Sequence, residues 1–419
     1  MQYTQLNIYI ALSGTPVQGF FVVRHKTLKL CVQNPTKFHM KAMYSFIMAF
    51  LFIANTTLNG QNKPKKNMNH DFHLLVGTYT SGKSEGIYVY KFNVKTGEFE
   101  AESIAKNVKN PSYLVVSPNE KYVYSAGEID KNGAVYAFEF DKRTGNLKQL
   151  STQSSNGNYP CFVDIDKTGK WVFAGNYGAG NLTVLPVQPN GGLGKPTQTI
   201  QHEGKSVNPD RQEGPHVHSV NIAPNNVDVF VPDLGLDKIF TYALDAKTGK
   251  LAVGNPAFTK VQDGSGPRHF SIHPNGKFAY VIQEISGDVT AFDYKKGALT
   301  AIQTISAKPA GHTGDFNCAD IHISPDGKFL YGSNRVHDSL VIYSVDAKTG
   351  KLTYVAHQSV MGKKPRNFMI DPTGNFVLVA NQDSDNITIF KRDMKTGMLT
   401  STGKEIAVPN PVCLKMVSF

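Results

Sequence analysis

The sequence predicts an all-β fold, namely a seven-bladed β-propeller built from four-stranded antiparallel blades. A unit that starts near a proline recurs about every 50 residues, which is the usual length of one propeller blade. Within each unit, short runs of alternating apolar residues are separated by Asn-Gly, Asp-Gly or Lys-Thr-Gly turns, as in β-hairpins. No unit carries a convincing helical pattern, so we expect β-sheets throughout residues 71–419.

The ends of the chain explain how the ring of units closes. The complete units begin near Pro111, Pro160, Pro215, Pro267, Asn317 and Pro365. The first unit holds only three strands, LLVGTY, IYVYKF and EFEAES, and lacks the innermost one. The chain ends in an unpaired strand, PVCLKMVSF, which we expect to fill this place in the first blade. Such a closure removes free sheet edges, which otherwise invite aggregation.

The net charge of +11 does not indicate nucleic-acid binding, because the excess lies in the first 70 residues. That segment holds eight Lys or Arg residues and no acidic residue, whereas the rest of the chain holds 36 basic and 33 acidic residues. A nearly neutral body lacks the basic surface that nucleic acids attract. We therefore expect no nucleic-acid partner.

The N-terminal segment contains a short apolar run. Met40-Lys41 precedes the run Met43–Ala54, and a polar stretch with a cleavage zone near Gly60-Gln61 follows it. This order is typical of a signal peptide over residues 40–60, with a linker over residues 61–70. The run is too short to cross a membrane comfortably. We therefore predict export to the periplasm or the extracellular space, with no membrane span in the mature chain.

Residues 1–39 do not fit this interpretation, because a signal peptide normally starts at the chain terminus. We interpret them as an upstream extension from a miscalled start codon, with translation beginning at Met40. One alternative is a signal anchor that tethers the protein to the membrane. If the leader is not functional, the protein is cytoplasmic.

The positions of the cysteines and the absence of several catalytic motifs exclude some classes of site and enzyme. Cys161, Cys318 and Cys413 lack metal-ligand spacing and lie near the starts of apolar strands, so we expect buried cysteines and no metal site. The sequence has no Gly-x-Ser-x-Gly or His-Glu-x-x-His motif and no phosphate-binding glycine loop before a helix. It therefore supports neither an α/β-hydrolase nor a zinc protease.

Blade topology predicts which side chains share one face of the disc. The residues at the start of each inner strand and the loops between the second and third strands lie on one face, and the Lys-Thr-Gly turns lie on the other. His and charged residues collect on the first face, where the loops are longest. The candidate catalytic residues there are His216, His218, Arg268, Glu284 and Arg335. The candidate substrate-binding residues are Arg211, His269, Asn334, His337, Asp338 and Asn381.

These residue types suit an anionic substrate that carries an ester-like or lactone carbonyl. Arginines bind a carboxylate or phosphate through paired hydrogen bonds and stabilise a developing oxyanion. A Glu or His beside a bound water acts as a general base when its pKa is tuned towards neutrality.

Several motifs resemble those of the lactonase family of seven-bladed propellers. They are the Glu284 loop, PHVHS, GPRHF, ADIHISPDGKFLYGSNRVHDS and NFVLVANQDSDN, and the resemblance covers about residues 71–419. That family includes propeller-type bacterial 6-phosphogluconolactonases and fungal carboxymuconate cycloisomerases. The resemblance implies a lactone-ring hydrolase or cyclase that needs no organic cofactor. It also implies an active site of His, Arg, Glu and Arg, which correspond here to His216 or His218, Arg268, Glu284 and Arg335.

From this resemblance we expect a lactone hydrolase similar to the 6-phosphogluconolactonases, acting as a monomer on an anionic or sugar lactone. Phosphorylated sugars are scarce outside the cytoplasm, so for an exported enzyme an unphosphorylated sugar lactone stays open as an alternative to a phosphorylated one. Two alternatives stay open. One is a cycloisomerase that closes a muconate ring, and the other is an exported propeller that binds a ligand without turnover.

Overall fold

The computed structural model describes residues 5–12, 15–24, 27–32 and 70–419. The chain divides into two units, Met1–Met68 and Asn69–Phe419. The first unit contains a three-stranded antiparallel sheet of β1 (Gln5–Leu12), β2 (Thr15–Arg24) and β3 (Thr27–Val32). The predicted signal peptide over residues 40–60 and nearly all of the predicted linker lie outside the described residues. The interpretation of residues 1–39 as a miscalled extension stays a prediction.

The second unit is the predicted propeller, with seven four-stranded antiparallel sheets. We number the blades in chain order and give their strands from the channel outwards. Blade 1 contains β31 (Pro411–Ser418), β4 (Asp71–Thr78), β5 (Gly86–Asn93) and β6 (Phe99–Lys106). Blade 2 contains β7 (Pro111–Val116), β8 (Tyr122–Gly127), β9 (Ala134–Asp141) and β10 (Asn146–Ser154). Blade 3 contains β11 (Pro160–Ile165), β12 (Trp171–Asn176), β13 (Asn181–Pro186) and β14 (Gln198–Gln201).

The remaining blades follow the same order. Blade 4 contains β15 (Asn221–Ile222), β16 (Asp228–Asp233), β17 (Lys238–Asp245) and β18 (Lys250–Lys260). Blade 5 contains β19 (Pro267–Ile272), β20 (Phe278–Gln283), β21 (Asp288–Lys295) and β22 (Ala298–Ser306). Blade 6 contains β23 (Cys318–Ile323), β24 (Phe329–Asn334), β25 (Ser339–Val345) and β26 (Leu352–Ser359). Blade 7 contains β27 (Pro365–Ile370), β28 (Phe376–Asn381), β29 (Asn386–Arg392) and β30 (Leu399–Ala407), with a short 3-10 helix at Gln382–Ser384.

The C-terminal strand closes the ring, as the sequence predicts. The strand β31 pairs antiparallel with β4, with Leu414 opposite Val76 and Met416 opposite Leu74. It thereby becomes the innermost strand of blade 1. Its backbone N–H at Leu414 also donates to Oδ1 of Asn367 in blade 7, at 2.8 Å. The first and last blades are therefore joined through the end of the chain.

Burial follows the position of each strand within its blade. All six residues of β20, β24 and β28 are buried, because the second strand of a blade is covered on both faces by its neighbours. Outer strands such as β10 expose every second residue or more. The cysteines Cys161, Cys318 and Cys413 are free and buried, as expected. Within the described part of the chain, no helix is long and apolar enough to cross a membrane.

A β-bulge occurs near the start of the inner strand in six of the seven blades. In five of them the extra residue directly follows the leading proline, and these residues are Ser112, Cys161, Arg268, Arg366 and Val412. A bulge re-aims a side chain away from the regular alternation of the strand. All five of these side chains line one small cavity at the mouth of the channel.

Blade 4 lacks the regular start of its inner strand. The strand β15 has only two residues, and before it a single bridge joins Val217 to Asp233. The carboxylate of Asp233 accepts the backbone N–H groups of His216, at 2.8 Å, and Gly235, at 3.1 Å. These bonds replace part of the strand pairing and hold the His-Val-His segment in an irregular conformation.

Candidate active site

The site at the channel mouth is built from two sets of equivalent positions in the repeats. The first set is the bulge residues of the inner strands. The second set is the first residue after each second strand, where the chain leaves the sheet. Its members, from blade 1 to blade 7, are Tyr79, Glu128, Tyr177, Leu234, Glu284, Arg335 and Gln382. Both sets lie on the face that blade topology predicts, so residues distant in sequence meet there.

Glu284 lies at the centre of a cluster of three arginines. Its Oε2 contacts Nε of Arg268 at 2.7 Å and Nη2 of Arg335 at 2.8 Å. Its Oε1 contacts Nη2 of Arg211, which comes from the long connection between blades 3 and 4, at 2.5 Å. Arg268 is 1% exposed and also donates from Nη1 to the carbonyl of Ala319, at 2.6 Å. One carboxylate against three guanidinium groups leaves a local charge of +2, which favours an anionic oxygen of a ligand.

The ion pairs control the protonation of this cluster. Burial alone would raise the pKa of Glu284, but attraction to Arg335, Arg268 and the other nearby cations holds that pKa well below its usual range. Burial and the neighbouring cations lower the pKa of Arg335 to about 10, against the attraction of Glu284, and it stays charged at neutral pH. Glu284 is therefore a fixed anion. From the sequence we expect a general base to have a pKa tuned towards neutrality, and the pKa of Glu284 lies well below that.

Two histidines line the cavity beside this cluster. His218 places its Nε2 4.0 Å from Oε2 of Glu284 and its Nδ1 3.6 Å from the sulfur of Cys161. His269, the residue after Arg268, donates from Nδ1 to Oδ1 of Asp320 at 2.7 Å. The two rings meet edge to face, with 5.4 Å between centroids. Burial, followed by nearby Arg268, lowers the pKa of both histidines, for His269 to about 4, so both are neutral near pH 7.

The opposite wall of the cavity carries a second Arg–Glu pair. Nη2 of Arg366 lies 3.8 Å from Oε1 of Glu128, and the hydroxyl of Tyr79 donates to Oε2 of Glu128 at 2.8 Å. The guanidinium of Arg366 also lies over the ring of Tyr79, 5.3 Å from its centroid. The hydroxyl of Ser112, which is buried beside this pair, has no hydrogen-bond partner among the described residues. This wall therefore offers both donors and acceptors for the hydroxyl groups of a ligand.

Comparison with known proteins identifies the family of this chain. Residues 73–416 match the sequence profile of the lactonase family, described as a 7-bladed β-propeller. The chain belongs to this lactonase family. It is 38% identical over 345 residues to a 6-phosphogluconolactonase of Bacillus subtilis, covering 82% of this chain and 97% of that protein. A 6-phosphogluconolactonase of Formosa agariphila is 39% identical over 304 residues, covering 71% of this chain and 86% of that protein.

Solved structures give the same family relationship. A Bacteroides fragilis protein superposes on this lactonase with a TM-score of 0.80 at 43% identity, covering 84% of this chain and 99% of that one. A periplasmic gluconolactonase of Pseudomonas aeruginosa superposes with a TM-score of 0.79 at 36% identity, covering 83% and 99% of the two chains. The similarity to these relatives shows that the protein is a lactone hydrolase similar to the 6-phosphogluconolactonases.

The structure brings six of the predicted site residues of the lactonase together. Arg211, Arg268, Glu284 and Arg335 form the ion-pair cluster, and His218 and His269 line the adjoining cavity. His216 lies beside them on the rim. Its ring stacks on Tyr177, with centroids 4.4 Å apart, and its Nε2 contacts the exposed carboxylate of Glu213 at 3.2 Å. Of the two candidate histidines in PHVHS, His218 is the one that lines the cavity.

The other four predicted substrate-binding residues hold loops in place, and among the described residues none of them lines the cavity. Asn381 donates to Thr388, and the side-chain oxygen of Asn334 accepts the N–H groups of the two residues after Arg335. His337 bonds to Ser339. Asp338 has a φ of 49° and accepts the backbone N–H of Lys364 at 2.7 Å.

Two of these residues, Asn334 and Asn381, lie one position too early in the chain to face the site. Asn334 and Asn381 are the last residues of second strands, where a side-chain amide ties the strand end to nearby backbone or to the third strand. Arg335, the residue after Asn334, is the one that contacts Glu284 in the cluster. Sequence reasoning did not identify Glu128. It placed Arg366 on this face but did not include it among the candidate site residues, although PRNF in blade 7 repeats PRHF in blade 5.

Proposed function

We propose that this lactonase hydrolyses an unphosphorylated sugar lactone, of the gluconolactone type, to its hydroxy acid. The observation that carries the proposal is the ion-pair cluster of Glu284 with three arginines, directly beside a cavity that holds two neutral histidines. Fixed cations polarise a lactone carbonyl and stabilise the oxyanion that forms when water attacks it. A neutral histidine can accept the proton of that water.

The second wall of the cavity supports a sugar substrate. Glu128 accepts hydrogen bonds, whereas Arg366 and Ser112 donate them, and a polyhydroxylated ring needs both kinds of partner. The pair of Glu128 and Arg366 is neutral overall, so it suits hydroxyl groups better than a dianionic phosphate. The relationship to a periplasmic gluconolactonase of Pseudomonas aeruginosa supports the same substrate class.

In this mechanism Glu284 is a positioning residue. Its two oxygens fix the guanidinium groups of Arg268, Arg335 and Arg211, so that these cations face the channel mouth in one arrangement. Arg268 lines the cavity and is the cation placed to polarise the carbonyl. Because arginines engage both oxygens of Glu284, a histidine of the cavity takes the role of general base.

A lactone panel tests the proposal. The hydrolysis of gluconolactone, 6-phosphogluconolactone and a muconolactone is measured in a pH-stat with the purified protein, above the spontaneous rate. We expect the highest kcat/KM with gluconolactone and its loss in the double variant Glu284→Gln/Arg268→Ala. Activity that survives in the double variant would refute the site. Ligand binding without turnover of any lactone would indicate a binding propeller instead.

We further propose that the protein is exported through a signal peptide that starts at Met40. The support is the order of charged, apolar and small residues over 40–60 and the relationship to a periplasmic enzyme. N-terminal sequencing of the protein from the native cell should find a start near Gln61. An intact Met1 would refute the proposal, and a retained apolar run in the membrane fraction would indicate a signal anchor.

A further inference from the structure

We infer that His269 is the general base of the lactonase reaction and that Asp320 positions it by fixing its tautomer. The inference rests on the proposed function and assigns one step of it. In the sequence His269 is one of several candidate substrate-binding residues, and nothing in its PRHF motif separates it from the neighbouring histidines.

The geometry of His269 leaves one ring nitrogen free to act. Its Nδ1 lies 2.7 Å from Oδ1 of Asp320 and, among the described residues, Nε2 has no hydrogen-bond partner. An ionised carboxylate only accepts hydrogen bonds, so the proton of the neutral ring resides on Nδ1. Nε2 then carries a lone pair, and the ring belongs to the wall of the cavity that contains Arg268. A carboxylate that binds one ring nitrogen of a histidine orients the other nitrogen to abstract a proton.

Asp320 is held too firmly to turn away from His269. It is 1% exposed, and its Oδ2 accepts from Nε2 of His322 at 2.8 Å and from the side-chain amide of Asn367. The backbone N–H of Phe368 adds a longer contact of 3.3 Å to the same oxygen. Burial would raise the pKa of Asp320, but its interactions with His322 and His269 hold that pKa well below its usual range. Asp320 is therefore a positioning residue that stays ionised.

His218 is the competing candidate, and its surroundings favour a different role. Its Nε2 faces the carboxylate of Glu284 at 4.0 Å, and its Nδ1 faces the thiol of Cys161 at 3.6 Å. The anionic carboxylate favours a proton on Nε2, which makes this nitrogen a donor. His218 thus presents an N–H group and His269 a lone pair to the same cavity.

The charged and titratable groups around His269 set its protonation. Arg268 precedes it in β19, and Asp320, with His322 behind it, faces it from blade 6. Across the channel mouth, the rings of His218 and Tyr113 lie edge to face with it, at 5.4 and 5.8 Å. Burial and the Arg268 charge lower the pKa of His269 to about 4, although Asp320 acts in the other direction. His269 is therefore neutral at pH 7 and becomes protonated, and inactive as a base, as the pH falls through this value.

The chemical step balances with water as the only second reactant. Nε2 of His269 takes a proton from water as the water oxygen bonds to the lactone carbonyl carbon. The ring C–O bond then breaks, and the departing alkoxide takes the proton back from Nε2. The product is the open hydroxy acid, which ionises to its carboxylate, and His269 is neutral again.

Kinetics of three variants test the assignment. His269→Gln should lower kcat at least about 100-fold with little change in KM, since a general base contributes a factor of about 10² to 10⁴. Added imidazole should restore part of the activity of His269→Gly. The matched control His273→Gln changes a buried histidine of the same blade that bonds to the carbonyl of Gly327, and it should retain the wild-type kcat. A kcat of His269→Gln within about 5-fold of wild type would overturn the assignment.

The tautomer of His269 gives a readout that needs no turnover. In the wild-type protein labelled with 15N-histidine, the NMR spectrum at pH 7 should show a proton on Nδ1 and none on Nε2. Asp320→Asn should lower kcat and shift this tautomer balance, which a purely structural role for Asp320 would not do. A proton on Nε2 in the wild type overturns the assignment. Wild-type protein without lactone turnover overturns the proposed function and the assignment together, whereas turnover that persists in His269→Gln overturns the assignment alone.

Discussion

Glu284 is the side chain on which the charge arrangement of the channel mouth depends. It is 4% exposed, and its carboxylate separates three guanidinium groups that would otherwise repel one another. A buried carboxylate in this position contributes to stability only while it is ionised. The free energy of unfolding must therefore depend on pH through this group.

The first prediction concerns the variant Glu284→Gln at the residue scale. It leaves buried arginines without their anion, and we expect a loss of about 3–5 kcal/mol in the free energy of unfolding at pH 7. Since the pKa of Glu284 is depressed in the folded state, the wild-type advantage is complete above the unfolded pKa of about 4.3. It is lost as the pH falls through the lower folded pKa. Urea unfolding of both proteins at pH 7, 5 and 3 measures this difference.

An exposed ion pair provides the control for this prediction. Glu98 contacts Lys404 on the surface, and its side chain is 69% exposed. Glu98→Gln should change the free energy of unfolding by less than about 1 kcal/mol, because solvent screens such pairs. If Glu284→Gln and Glu98→Gln cost the same, the buried cluster does not stabilise the fold.

At the scale of one element, the His-Val-His segment of blade 4 depends on a single acidic side chain. Asp233 is fully buried at the end of β16 and accepts from the backbone of His216 and Gly235. Its second oxygen lies 2.7 Å from Nδ1 of His202. These bonds reinforce the single β-bridge that stands here in place of a longer ladder, so Asp233 helps to hold His218 at the cavity.

The second prediction follows from this arrangement. Asp233→Ala leaves three buried donors without an acceptor, and we expect a loss of about 3 kcal/mol or more in the free energy of unfolding. The folded fraction should also have a lower kcat/KM, because His218 moves with its backbone. Urea unfolding and lactone kinetics at 20 °C measure the two effects. Asp245→Ala, in an exposed hairpin turn of the same blade, should leave kcat/KM unchanged.

The repeated strands and loops of the blades also show which site residues can be predicted from the sequence and which cannot. Glu284 and Arg335 were predictable, because blade topology places the loops after second strands on one face. The roles of Asn334 and Asn381 could not be predicted, because the sequence does not show whether these residues end the strand or begin the loop. The sequence places Asp320 on the same face as His269, but it did not predict that the two are paired, since Asp320 lies 51 residues further along the chain in another blade.

At the scale of the whole molecule, the fold was predictable because the same pattern of strands and turns repeats along the chain. Seven units with the same turn chemistry determine the blade count, and the three-stranded first unit requires a strand from elsewhere. The bulges were not predicted, because they are changes of register that no residue type marks. They turn Arg268 and Arg366 into the cavity.

The third prediction concerns the closure of the ring. Deleting residues 411–419 removes the inner strand of blade 1, including the buried side chains of Val412, Leu414 and Val417. It also exposes the edge of β4, so we expect loss of soluble, folded protein. Yield in the soluble fraction and the thermal melting curve measure the effect. An unchanged melting curve would refute the role of this strand in closure.

A shorter deletion is the control for this experiment. Removing Phe419 alone takes away a ring that is 39% exposed and stacks on His73, with 3.9 Å between ring centroids. The β31 strand, which ends at Ser418, stays intact in this variant. We expect a soluble protein with a small decrease in melting temperature.

The pairing of β31 with β4 also has a consequence for the time at which the protein can fold. The strand β31 follows every other strand of the propeller in the sequence, so the ring cannot close until all seven blades have been synthesised. Blades 2 to 7 each consist of consecutive strands and can form sheets as they emerge. Blade 1 waits for a strand from the other end of the propeller sequence, so closure is the last step in the assembly of the disc.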